Sequence, residues 1–196
     1  MKLESVTTEM LNEMERLLVA FIYEISWQQK WRGDNVPSHV MKSFVANARR
    51  ISDSFTKDRR HIDLNYLRTK EARAAYLVYF HLANVVRTLA VLEECQRRSI
   101  AMNRPMRVLD LGTGTGPALW ALRLAQMKFG GELTEVVALD GEKAVLPVAK
   151  KLWERFLQLA DAKFPQLRTI RADFRDVRTP SLLRRLGEFD LVLCSN

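Results

Sequence analysis

Met106-Arg107-Val108-Leu109-Asp110-Leu111-Gly112-Thr113-Gly114-Thr115-Gly116-Pro117 decides how the rest of the chain is read. Its first six residues are apolar enough for a short buried strand. Three glycines then alternate with threonines. The proline stands where a helix can begin, because the N–H it lacks would be unpaired there. Glycines at 112, 114 and 116 allow a tight turn and let a ligand approach the backbone where a Cβ would collide. The spacing is GxGxG rather than GxGxxG, which argues against a dinucleotide grip. The Lys-Ser/Thr of a phosphate-binding loop is also missing.

Toward the C-terminus the strand–helix pattern repeats. Strands are expected at residues 135–140, 167–172 and 189–194. Helices are expected from Pro117, over about 142–161 and around 181–186. Apolar strands alternating with helices mean a parallel sheet covered on both faces. Asp110 precedes the first glycine, Asp140 ends the second strand, and Asp173 follows the third. In an open parallel sheet these are the ligand-binding ends. Asp110 can hold an ammonium group directly or through water. Asp140 is placed for ribose hydroxyls, and Asp173 for an exocyclic amine such as adenine N6. Ammonium, ribose and adenine together point to S-adenosylmethionine.

Toward the N-terminus the periodicity is helical. Residues 8–30 carry Met10, Leu11, Met14, Leu17, Leu18, Phe21, Ile22 and Ile25 at helical spacing. Ser38 can cap a second helix bearing Phe44, Val45 and Ala48. A third, over about 71–98, shows the stripe Ala72, Ala75, Tyr76, Tyr79, Ala83, Val86 and Ala90, broadened by Leu82, Leu89 and Leu92. Residues 99–105 break the pattern. They divide a helical cap or substrate region, 1–104, from a cofactor-binding domain, 105–196. Between the second and third helices, Arg49, Arg50, Lys57, Arg59 and Arg60 surround Phe55. Guanidinium groups near an aromatic suit phosphate contact with base stacking. The same run also reads as a solvated loop paired with Asp53 and Asp58.

The 196 residues are 47% apolar with a net charge of +8, which excludes disordered and collagen-like classes and favours a polyanionic partner. Two cysteines, Cys95 and Cys194, and three scattered histidines, His39, His61 and His81, build neither a disulfide framework nor a zinc cluster, so no metal is expected. No uninterrupted apolar run approaches ~20 residues, so no membrane-spanning helix is expected. The N-terminus does not read as a secretory signal, and a cytoplasmic protein is expected.

Residues 108–116 resemble the first motif of class I S-adenosylmethionine-dependent methyltransferases, and Asp140, Asp173 and residues 190–196 resemble the next three. Tyr66-Leu67, residues 72–85 and residues 116–121 further resemble the ribosomal small-subunit methyltransferase-like family, which includes mitochondrial ribosome assembly factors and bacterial relatives. The resemblance implies an α/β fold: an N-terminal helical region, then a Rossmann-like sheet of order 3-2-1-4-5-7-6. About four of the seven strands are present, so a C-terminally truncated sheet is expected. Cofactor contacts are implied for Asp110, Gly112, Thr113, Gly114, Gly116, Asp140, Asp173 and Phe174. Asn196, at the end of the fourth motif, would orient a nucleophilic amine as the catalytic residue. Cys194 is read as a buried strand residue rather than a thiolate nucleophile. Small-subunit ribosomal RNA, or the subunit itself, is the implied partner. The alternatives are a non-catalytic ribosome-assembly factor that keeps the fold as an RNA-binding scaffold, and a small-molecule methyltransferase with the front helices as a lid.

Overall fold

The computed structural model describes residues 8–27, 38–57, 66–98, 104–159, 167–173 and 180–194. Helices α1 (Thr8–Trp27), α2 (Ser38–Thr56), α3 (Lys70–Tyr76) and α4 (Leu82–Arg97) come first, with a π-helical turn, Leu77–His81, joining the last two. There follow β1 (Met106–Leu111), α5 (Pro117–Phe129), β2 (Leu133–Asp140), α6 (Leu146–Leu159), β3 (Leu167–Arg171), α7 (Pro180–Leu186) and β4 (Leu191–Leu193). All strand pairs are parallel, in the order β3-β2-β1-β4. The fold is therefore the expected α/β class, a helical region followed by a Rossmann-like sheet. Asp110 lies opposite Ala138 of β2 and Leu193 of β4, and Asp140 opposite Arg171 of β3. The segments leaving the strands thus collect at one rim.

The core explains why the helices stay. In α1 the buried residues are Met14, Leu18, Phe21 and Ile22, one helical face. Helix α5 is buried from Pro117 through Leu122, because α4 covers the side that the sheet does not. Trp120 of α5 stacks on Phe156 of α6 with centroids 4.5 Å apart. One apolar cluster runs from Met14 and Phe21 through Val85, Leu89 and Leu122 to Val108 and Val136. Truncating a leucine at such a position, Leu122→Ala, costs about 2–5 kcal/mol.

Several boundaries differ from expectation. β2 begins at Leu133, earlier than 135. α6 begins at Leu146, because residues 143–145 form a turn in which the Ala144 N–H donates to Glu142 Oε1 at 2.9 Å. Cys194 is exposed, not buried in a strand, since pairing with β1 ends at Leu193. Within α4 Leu89 and Leu92 face inward as expected, but Val85 joins them, while Ala83 is exposed and Val86 and Ala90 are only half-buried. Tyr79, also in the expected stripe, is exposed. Apolar residues lie on nearly every face here, so periodicity alone selects no face. By length and composition the continuous helix Lys70–Arg97 is apolar enough to cross a membrane, contrary to the reading from uninterrupted runs. Here its buried residues pack within the protein.

Candidate cofactor site

The glycine loop starts as an extension of the sheet. The N–H groups of Gly112 and Thr113 both donate to the Leu139 carbonyl, at 2.8 and 3.1 Å. The chain then reverses, and the Gly116 N–H donates to the Thr113 carbonyl at 2.8 Å. Gly116 has φ +86°, and a Cβ there would stand 3.3 Å from Leu119 Cδ1 and 3.5 Å from Ala149 Cβ. Conformation demands glycine, and a Cβ would also press on the end of the Leu119 side chain. At Gly114, with φ +52°, the nearest side-chain atom is 3.7 Å away, so conformation alone selects it.

Two carboxylates hold this loop. Asp140 accepts from the Gly114 N–H through Oδ2 at 2.9 Å and from the Glu142 N–H through Oδ1 at 2.8 Å. Asp110 is fully buried, and its Oδ2 accepts from the Thr113 hydroxyl at 2.7 Å. Its Oδ1 is buried with no hydrogen-bond partner. Burial raises both carboxyl pKa values. Asp110 is pushed up to about 7, opposed by the Thr113 bond and reinforced by the charge of Asp140. For Asp140 the amide bonds from Glu142 and Gly114 oppose the rise. Among the described residues neither carboxylate forms an ion pair. Asp173 follows β3 half-buried, and its Cα lies 4.0 Å from where a Gly141 Cβ would stand, which puts it beside the Asp140 turn.

The helical region supplies a roof that the reading of the sequence did not place at the site. Leu67 lies over Gly114. The Arg73 guanidinium fastens that segment by donating to the carbonyls of Leu67 and Arg68, at 2.9 and 2.7 Å. Tyr66 and Tyr76 have ring centroids 6.1 Å apart. Burial raises the pKa of both phenols, and the charge of Asp140 adds to the rise in each. Asn84 Nδ2 donates to the Tyr76 hydroxyl at 2.8 Å. Underneath, His81 Nδ1 bonds Thr115 Oγ1 at 2.8 Å. The signal available for His81 was a single histidine among Leu77, Val78, Leu82 and Val85 on a strongly apolar helix.

Asp110, Gly112, Thr113, Gly114, Gly116, Asp140 and Asp173 thus come together at one rim. Phe174, Asn196, Arg59 and Arg60 lie outside the described residues. Arg49 and Arg50 are exposed on α2, with Arg50 Nη2 donating to Asn47 Oδ1 at 3.2 Å, and Lys57 pairs with Asp53 at 2.8 Å. The opposite face of α2, Ala48 and Ile51, packs in the cluster that holds Leu67, Tyr76 and Val145.

No protein-family model matches the chain, and no curated protein matches it. Among solved structures it aligns over its full length with the crystal structure of the SAH-bound methyltransferase PaMTH1 from Podospora anserina, at 11% identity and a TM-score of 0.36. It spans 61% of that protein's chain. At this depth the likeness adds nothing to the geometry of the rim.

Proposed function

We propose that this chain binds S-adenosylmethionine at the rim formed by Asp110, the glycine loop and Asp140, and serves methyl transfer to small-subunit ribosomal RNA. One observation carries the cofactor part: a fully buried carboxylate, Asp110, and a half-buried one, Asp140, have only N–H and O–H donors for company, and one Asp110 oxygen has no donor at all. An ammonium group drawn to the side of Asp110, directly or through water, supplies the missing counter-charge and draws that carboxyl back toward its ordinary pKa. Each oxygen of Asp140 accepts one amide and keeps a lone pair for a ribose hydroxyl. Asp173 is positioned for an exocyclic amine. Bound S-adenosylmethionine supplies an electrophilic methyl group, whose transfer needs positioning more than covalent help. Tyr66, Leu67 and Tyr76 keep water from the acids.

Support for RNA comes from the charge of +8 and from Arg49 and Arg50, exposed on the helix whose other face packs against the roof. Sequence-independent phosphate contact needs no more than this.

Calorimetric titration with S-adenosylhomocysteine tests the cofactor part. Saturable binding is expected, weakened at least about 100-fold by Asp140→Ala, which removes two charge-assisted hydrogen bonds of about 1.5–3 kcal/mol each. Absence of binding by folded wild-type protein rejects it and leaves the non-catalytic scaffold. For RNA, substituting both Arg49 and Arg50 by Ala is expected to reduce the slope of log affinity against log salt by about 1.5–2. An unchanged slope excludes this face.

A further inference from the structure

His81 ties the helical region to the glycine loop across 34 residues of sequence, and it does so from an unusual piece of backbone. It closes the π turn Leu77–His81, and a single i→i+5 turn adds about one residue to the helical repeat. Such turns are rare and are found frequently at functional sites. The ring is fully buried, its edge against Trp120 with centroids 4.8 Å apart and planes at 79°. Thr115 is likewise fully buried. Burial also pushes the imidazole down to about 3, so the ring is neutral.

Proton accounting shows that the contact is held at a cost. If Nε2 carries the proton, Thr115 donates to Nδ1 and an N–H is left in apolar surroundings, because Nε2 has no partner. If Nδ1 carries it, the ring donates to Thr115 and the threonine O–H needs another acceptor. A phenylalanine would pack here without that surplus donor. Resting on the cofactor reading above, we propose that His81 is a positioning residue: its bond to Thr115 holds the loop between Gly114 and Gly116 in the ligand-ready conformation. The helical region thereby sets cofactor affinity.

Two substitutions separate the bond from the packing. His81→Phe keeps a ring against Trp120 and loses the bond. His81→Asn places an amide near the Nδ1 position and loses the ring. Amide hydrogen exchange at Gly114 and Gly116 in ligand-free protein is the first readout, and affinity for S-adenosylhomocysteine the second. His81→Phe is expected to speed exchange and weaken affinity about tenfold each, the worth of one buried hydrogen bond. His81→Asn should stay within about threefold of wild type although its melting temperature falls, since ring loss leaves a cavity. Adding Thr115→Val to His81→Phe should leave affinity no worse than the single variant. Wild-type exchange rates in His81→Phe, or His81→Asn as fast as His81→Phe, would overturn the assignment. If wild type binds no S-adenosylhomocysteine, the cofactor reading fails, while the exchange rates still decide the role of His81 in the loop.

Discussion

The two rims of the sheet handle acidic residues in opposite ways. At the N-terminal rim, Glu135 sits between two arginines, with Arg107 Nη2 at 2.7 Å and Arg168 Nε at 2.8 Å. Asp190 accepts from the Arg107 N–H at 2.9 Å and pairs with Arg104 at 3.1 Å. Arg107 also lies over the Phe189 ring, 5.0 Å from its centroid, and donates to the Glu188 carbonyl. The hydrogen bond from Arg107 is the main reason the Glu135 carboxyl is held below its ordinary pKa. At the C-terminal rim Asp110 and Asp140 are pushed up instead, chiefly by burial. Acids neutralised within the chain tie strands together. Acids left short of positive charge store an attraction for something outside it.

The largest expected effect that sharpens this contrast is in binding. Asp110 titrates near 7, so affinity for a ligand with an ammonium group should rise about tenfold from pH 6 to pH 8 as the carboxyl ionises. Asp110→Asn should bind weakly and show no such rise. Calorimetry at four pH values measures both. An equal pH slope in the variant would place the titrating group elsewhere.

Next comes stability. The folded state holds the Asp110 proton more tightly than the unfolded chain does. The stability this contributes is full below the ordinary value of 3.8 and is lost as pH rises through about 7. Replacing this acid with Asn, which can still accept from Thr113, should therefore raise the melting temperature of the ligand-free protein at pH 8. About 3 °C is expected, from roughly 1 kcal/mol, shrinking as pH falls through about 7 and gone only below about 3.8. A lower melting temperature at pH 8 would make Asp110 a structural acid and remove the contrast between the rims.

The smallest effect has the opposite sign. Glu135 has a depressed pKa, so its contribution is present above 4.5 and lost as pH falls through its folded value. Glu135→Gln should lower the melting temperature at pH 7 by only about 1–2 °C, because the pair is partly exposed and screened. The deficit should vanish in acid. A Glu135 variant that is stabilised at pH 7 would show that both rims are strained alike.

Much of the C-terminal rim was legible because its rules are local. Strand, glycine turn and helix follow one another in residues 106–129, and the acids fall at strand ends by counting. Cys194 was misplaced because the end of β4 depends on pairing with β1, not on the apolar run alone. The stripe in α4 was read only in part, Leu89 and Leu92 but not Val85, because Leu82, Ala83, Val85, Val86, Leu89 and Ala90 cover more than one face, and only packing against α5 selects the buried one. His81 and Tyr76 gave no local sign of serving the loop. Their partners, Thr115 for His81 and the two acids for Tyr76, lie 34 to 64 positions further along.

By itself the sequence determined the class of the fold, the glycine loop as a tight turn, and the placing of Asp110, Asp140 and Asp173 at one rim. These follow from periodicity of 2 and 3.6 and from backbone sterics, which act over a few residues. Only the tertiary structure decided that Asp110 is fully buried with one oxygen unsatisfied, that Tyr66, Leu67 and Tyr76 roof the loop, and that a π turn delivers His81 to Thr115. Burial and electrostatic environment are sums over residues distant in the chain, and they exist only once the helices have packed on the sheet.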